Sequence, residues 1–268
     1  MRIGVNVPNF GPGTTPGVLR DWARTVEGLG FDLLMVSDHV VVTPDVAQQY
    51  PEPFYEPFTT LSWLAGVTER ITLGTTVLIA PYRHPLLVAR MAANLDALSG
   101  GRLVLGVGVG WARQEFAALG VPFRERGRRT DEVVSAVREV GVPVWIGGQS
   151  DGALRRTVRL GDAWHPLRVT PAEWRTGVER LTAVAEAEGR PVPGLAPRIL
   201  LRLTESAVDG ADRRLGEGTV SQVVADLERL RSEGVESVVL DPFVGDPDET
   251  LRPEVAWHAL ATVRKEFR

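Results

Sequence analysis

Phe31-Asp32-Leu33-Leu34-Met35-Val36-Ser37-Asp38-His39 is an apolar run that ends directly in an acid and an imidazole. A short apolar run of this kind reads as a buried strand. A charged pair at the C-terminal end of such a strand is poorly placed for packing and well placed for chemistry. The question is what kind of sheet contains the strand.

Outward from this stretch, β-branched runs alternate with longer amphipathic segments. Strands are predicted at 3–8, 33–40, 71–79, 103–110, 142–147, 162–165, 198–203 and 237–241. Helices are predicted at 16–29, 57–68, 85–98, 112–119 continuing to 126–140, 152–160, 171–188, 219–233 and 254–267. Several strands are apolar on both faces, as strands of a parallel sheet covered by helices are. Pro16, Pro57, Pro85 and Pro171 fit the first helical position, and Gly30, Gly161, Gly189 and Gly234 fit the position just past a helix end. Eight strands each followed by a helix predict an α/β fold of the closed (β/α)8 TIM barrel type, with a doubly wound open sheet as the competitor. No domain break or repeat is visible, so one barrel domain over 1–268 is expected. In such a barrel the C-terminal mouth is where active sites sit, which places Asp38 and His39 there.

Composition narrows the function. The 268 residues are close to the roughly 250 of one such barrel. The 30 basic and 34 acidic residues nearly balance, and no basic stripe points to nucleic acid. Cysteine is absent, which excludes disulfides and thiolate metal sites. Residues 1–5 enter a strand directly and read as no signal peptide, and no apolar run reaches membrane-spanning length. These features predict a cytoplasmic protein acting on a small molecule, with neither nucleic acid nor membrane as partner.

Further candidate residues fall at the same mouth. Gly106-Val107-Gly108-Val109-Gly110 ends the fourth strand and precedes Trp111. Repeated glycine there suggests close approach by a ligand or another backbone, with a crowded barrel interior as the alternative. It is no dinucleotide fingerprint, because the spacing and the downstream acid are wrong. Gly147-Gly148-Gln149-Ser150 joins a strand end to a helix start, where free N–H groups and the helix dipole make an anion site suited to phosphate. The alternative is a plain tight turn. Arg83 is placed to hold a carboxylate or a cofactor edge, and His84 reads either as a site residue or as a helix start. His39, His84 and His165, three of the four histidines, fall at strand ends. No His-x-His or His-x3-His spacing supports a metal site, so none is assigned. Residues 41–57, with Tyr50, Phe54 and Tyr55, form a long loop that is either a pocket wall or a plain surface loop.

These pieces in this order resemble the luciferase-like monooxygenase family of flavin and deazaflavin barrels. The pointers are Ser37-Asp38-His39, Leu73-Gly74-Thr75-Thr76-Val77, Arg83-His84-Pro85, Leu105 to Trp111, Phe123 to Glu132, and Trp145 to Gly148 through Leu160 to Pro166. Ser-Asp-His after the second strand resembles the branch that uses coenzyme F420, the 5-deazaflavin hydride carrier.

The resemblance implies roles. The ring would lie across the mouth, with its phosphate tail on Gly147, Gly148 and Gln149. The third strand would carry a bulge with a non-proline cis peptide at Thr76–Val77 behind the ring. Asp38 and His39 would contact the ring, with His39 as proton donor or charge stabiliser, since imidazole gives and takes protons near neutral pH. Gly108 and Gly110 would let the backbone approach the ring. Trp111, Arg83 and His165 would serve the substrate side, and a homodimer is expected. The chain departs from the family pattern in a shortened segment between the fourth helix and the fifth strand, 132–142, which implies a more open pocket or one closed by a partner. An open pocket favours F420 hydride transfer over oxygenation by reduced FMN, which needs water excluded. The expected activity is therefore an F420-dependent oxidoreductase. The alternatives are an FMN-dependent monooxygenase using O2, a non-catalytic flavin-binding barrel, and a metal-dependent barrel hydrolase.

Overall fold

A computed structural model describes residues 1–267. In chain order the elements are β1 (Arg2–Asn6), α1 (Pro16–Gly28), β2 (Leu33–Val36), α2 (Pro44–Ala47), α3 (Pro57–Ala65), β3 (Thr72–Ile79), α4 (Pro85–Ser99), β4 (Leu103–Gly108), α5 (Arg113–Ala118) and α6 (Arg126–Arg138). They continue with β5 (Val144–Gly147), α7 (Asp151–Leu160), β6 (Ala163–His165), α8 (Pro171–Ala187), β7 (Gly194–Leu195), β8 (Arg198–Leu200), β9 (Arg202–Leu203), β10 (Glu217–Gly218), α9 (Val220–Ser232), β11 (Ser237–Asp241) and α10 (Pro253–Glu266).

One parallel sheet runs β7-β6-β5-β4-β3-β2-β1-β11-β8. Its two end strands belong to one extended stretch of chain. β7 pairs with β6, and β8 pairs with β11. Between them the Arg198 N–H donates to the Pro166 carbonyl, and the Arg168 N–H donates to the Arg198 carbonyl. The sheet therefore closes on itself, as the eight-strand reading requires. The seventh stave is split, and its first half, β7, lies before the 198–203 span expected from sequence. β9 and β10 form a separate small pair.

Strand alternation sorts the core into two shells. Leu33, Met35, Val104, Trp145, Ala163, Ala196 and Val239 point into the barrel. Leu34, Val36, Leu105, Ile146, Val238 and Leu240 point outward under the helices. Two residues further along the inward register, the layer becomes polar: Asn6, Asp241, Arg198 and His165. The candidate site rests on this layer.

The helix starts follow the sequence. Proline opens α1, α3, α4 and α8, and Thr170 and Thr219 form capping boxes with Glu173 and Gln222. Gly30, Gly189 and Gly234 take left-handed conformations past their helices. Gly161 does not: it is extended (φ −92°, ψ 158°) and leads directly into β6. α6 reaches β5 after only a short turn, as the shortened segment implies.

Candidate functional site

A cavity of about 270 Å³ opens at the C-terminal ends of β2, β3 and β4. Asp38, His39, Thr76, Val77, Gly110 and Trp111 all line it, so six of the residues singled out in sequence meet there. Tyr50 of the long loop forms another part of the wall, packed 5.4 Å from the His39 ring. Phe54 and Trp111 meet the same ring edge-on. A separate cavity of about 370 Å³ beside α10 contains none of these residues.

His39 is held by a partner that the sequence did not announce. Glu115, fully buried on α5, accepts from His39 Nδ1 at 2.7 Å, Tyr82 Oη at 2.9 Å, and the backbone N–H groups of Val40 and Val41 at 2.6 and 3.1 Å. Burial alone would raise the Glu115 carboxyl, but the bond from His39 and the two N–H groups outweigh it and hold it below its ordinary value. The same burial and the Glu115 charge push the Tyr82 phenol well up, so it stays a donor. A carboxylate only accepts, so Nδ1 of His39 carries a hydrogen, and in the neutral ring Nε2 has the lone pair. Among the described residues Nε2 has no protein partner, and the ring borders the cavity.

Asp38 is spoken for differently. It accepts from both nitrogens of the Arg83 fork, at 2.6 and 2.9 Å, and from the Ile79 N–H at 2.8 Å. Burial pushes its carboxyl up against the pull of Arg83. The remaining reach of Arg83 goes to Glu56 at 3.0 Å. Arg83 is therefore not free for substrate, as the sequence reading expected. Its planar fork is used up bracing Asp38.

His165 also leaves the expected role. It is 2% exposed, donates from Nδ1 to the Ala196 carbonyl, and accepts at Nε2 from the Thr76 hydroxyl at 2.8 Å. Burial pushes it down to about 4, with Arg198 adding to the effect, so it is a neutral internal link and not a substrate contact. His84 is the exposed N-cap of α4, accepting from the Leu86 N–H.

β3 changes register between Thr75 and Leu78, and the Thr76–Val77 peptide is cis, as the family resemblance implies. The glycines of β4 make room for this irregular strand. A β-carbon on Gly106 would sit 2.1 Å from the Thr75 carbonyl oxygen, and one on Gly108 would sit 2.5 Å from a Val77 methyl. Gly108 thus faces Val77 itself, whereas Gly110 (φ 76°) lines the cavity. Gly147 also packs on Val77. Gly148 (φ 100°) and Gln149 precede α7, whose N-cap Ser150 accepts from the Ala153 N–H. Gln149 borders a polar cleft with Leu167, Arg168 and Thr170, and Leu167 also lines the main cavity.

The polar layer beneath was the larger omission of the sequence reading. Asp241 accepts from Asn6, Arg168 and Arg198, and Arg198 also donates to the Thr76 carbonyl. Burial opposes its ionisation, but Arg198 and Arg168 outweigh it and hold the carboxyl low. Val238-Val239-Leu240-Asp241 carries the same signal as the stretch around Asp38, an acid closing an apolar strand. Glu115 had no comparable signal.

A family model described as luciferase-like monooxygenase matches residues 1–141 and 137–209. The F420-dependent glucose-6-phosphate dehydrogenase of Intrasporangium calvum is 39% identical over 151 residues, covering 52% of this chain and 42% of that protein. Among solved structures, an F420-dependent secondary alcohol dehydrogenase in complex with an F420–acetone adduct superposes with TM-score 0.77 at 15% identity, over 98% of each chain. The oxygenating constituent of 3,6-diketocamphane monooxygenase from Pseudomonas putida, in complex with FMN, superposes with TM-score 0.73 at 15% identity, over 100% of this chain and 97% of that one. The two structural likenesses are of fold.

Proposed function

The chain belongs to the luciferase-like monooxygenase family, and from that premise we propose that it is an oxidoreductase moving a hydride between coenzyme F420 and a carbon of a small organic substrate. The observation that carries this reading is the orientation of His39, with Nδ1 on Glu115 and Nε2 toward the cavity.

The residues present suit a flat heteroaromatic ring with polar edges. Val77 and Ile79 supply an apolar wall, Trp111 and Tyr50 aromatic ones, and Thr76 and Arg198 a polar floor. Gly148, Gln149 and the N-terminus of α7 would take the phosphate. When bound, the cofactor supplies the carbon that accepts or gives the hydride. Neutral His39 would take the proton of a substrate hydroxyl at Nε2 as that carbon is oxidised. In the other direction the imidazolium returns that proton to a carbonyl oxygen. Glu115 holds the imidazole in the accepting tautomer and stabilises its charged form. Asp38, braced by Arg83, fixes the β3 backbone at Ile79.

Two observations favour F420 over the second reading, an FMN-dependent monooxygenase. A similar protein acts with F420 by its name. Trp111 at the mouth is 48% exposed, which supports hydride transfer over oxygen chemistry that needs a dry site.

Fluorescence titration with oxidised coenzyme F420 and, separately, FMN tests the assignment. Tight F420 and weak FMN binding supports it, and the reverse moves the reading to the monooxygenase. His39→Ala is expected to lose roughly 10²–10⁴-fold in turnover while cofactor still binds. Unchanged turnover removes His39 from the chemistry.

A further inference from the structure

Beneath the cavity, which Arg198 lines, two largely buried arginines share one carboxylate. Arg198 and Arg168 both bring their Nε and Nη2 groups to Asp241 Oδ2, at 2.8 to 3.1 Å. The carboxylate is fully buried, and the two guanidiniums are 6% and 16% exposed. Two cations face one anion, and the remaining partners, Asn6, the Thr76 carbonyl and the Phe243 carbonyl, carry no charge. His165 beside them is neutral. The three hydrogen-bonded charges therefore sum to one positive unit, and the next charge acting on Arg168 is the half-buried carboxylate of Glu249.

The wall that carries His39 has the opposite balance. There Asp38 and Glu56 face the single guanidinium of Arg83, and Glu115 faces His39. The cavity lies between two walls of opposite sign.

Arg168 is also held in an unusual way. Its φ is 51°, and it is the one non-glycine residue in the left-handed region among the described residues. Side chains with a β-carbon rarely take that conformation without surroundings that enforce it. Here the enforcement comes from the closing hydrogen bond to the Arg198 carbonyl and the paired bonds to Asp241.

We propose that the Arg168–Asp241–Arg198 cluster sets the reduction potential of the bound ring by stabilising it in its reduced, more negative state. The inference rests on the functional reading above, that this cavity receives a flavin-type ring. A hydride carries two electrons and one proton, so its arrival makes the ring one unit more negative. The substrate is oxidised by the same two electrons, and its hydroxyl proton goes to His39. A ring held over Arg198 would place its added negative charge beside the cluster, and the proton on the imidazole would lie beside Glu115. A buried cation is screened little by salt, so its effect persists at physiological ionic strength.

The test measures dissociation constants of oxidised and reduced coenzyme F420, and of oxidised and reduced FMN, for the unmodified protein, Arg168→Gln, Arg168→Lys and Asp241→Asn. Arg168→Gln is expected to lower the preference for the reduced form about tenfold, a fall of ~30 mV in the midpoint for a two-electron couple. Asp241→Asn removes the negative charge and is expected to shift the preference the other way. Arg168→Lys keeps the charge and stays near the unmodified ratio. A purely structural cluster would move the first two variants in the same direction, or weaken both forms equally, and either result overturns the proposal. If Asp241→Asn does not fold, the two Arg168 variants decide alone, and equal shifts in Gln and Lys overturn it. Failure of the unmodified protein to bind either cofactor overturns the functional reading itself, and the proposal with it.

Discussion

Glu115 Oε2 lies 2.7 Å from His39 Nδ1, joining residues 76 positions apart in the chain. The contact decides which nitrogen of His39 faces the cavity. It makes Glu115 a positioning residue, acting on the reaction through the imidazole.

Glu115→Gln tests that role. An amide presents a donor where the carboxylate only accepts, so it cannot satisfy all four groups that now point at it. Turnover is expected to fall roughly 10–100-fold, less than for His39→Ala, with a displaced acid limb in the pH profile. Cofactor affinity is expected to stay within a few-fold. Equal losses in affinity and turnover would make Glu115 a structural support only.

Arg83→Met addresses the buried pair with Asp38. The substitution leaves the Asp38 carboxylate without its bidentate partner, and breaking a buried pair costs about 3–5 kcal/mol. Denaturant unfolding should show this loss, while Arg83→Lys restores part of it. A stability change below 1 kcal/mol would mean that Asp38 protonates or rehydrates at little cost.

The glycines of β4 carry a packing prediction. Gly108→Ala puts a methyl 2.5 Å from Val77 Cγ2 and is expected to destabilise by about 1–3 kcal/mol. The same change at Gly110 strains a left-handed backbone at the cavity lip, so it should also weaken cofactor binding. Full stability of Gly108→Ala would show that Val77 can move aside.

His165 gives a pH dependence of stability with a defined sign. Its folded value is about 4 against an ordinary 6.5, so the unfolded chain binds the extra proton first. The neutral-form stabilisation is complete above 6.5 and is lost as pH falls from there toward 4. At ~1.4 kcal/mol per unit the loss is on the order of 3 kcal/mol. Glu115 and Asp241, both held low, contribute stability above their ordinary values of 4.5 and 3.8 and lose it only at lower pH. Thermal melts of the protein and of His165→Gln between pH 7 and 4.5 separate the two windows. Parallel curves would assign the decline to other groups.

Ser150→Asp probes the proposed phosphate seat without removing the cap, since Asp caps a helix as well as Ser does. The added charge should weaken binding of FMN about tenfold or more and leave riboflavin, which has no phosphate, unaffected. Equal effects on both ligands would move the phosphate away from α7.

The order of elements was legible because it depends on local chemistry. Runs such as 33–36 and 237–241 are apolar on both faces, prolines open six helices, and side-chain oxygens of Thr15, Thr170 and Thr219 cap three. Asp38, His39, Gly110 and Trp111 were legible because they stand at strand ends, and a barrel brings all strand ends of one polarity to one mouth, whereas Thr76 and Val77, inside β3, followed from the family resemblance. Arg83 and His165 stood at the same mouth and were assigned to the substrate for the same reason, yet both turn to protein partners.

By itself, then, the sequence determined the alternation of strands and helices, the closed parallel barrel and, at its mouth, Asp38, His39, Gly110 and Trp111. Periodicity, caps and strand polarity are properties of neighbours in the chain. Only the tertiary structure decided the tautomer of His39, the use of Arg83 on Asp38, and the pairing of Asp241 with Arg168 and Arg198. Those depend on side chains 43 to 76 positions apart meeting in a space without water to satisfy them. Burial forces each of these charges to find a partner, and closure of the barrel decides which partners are within reach.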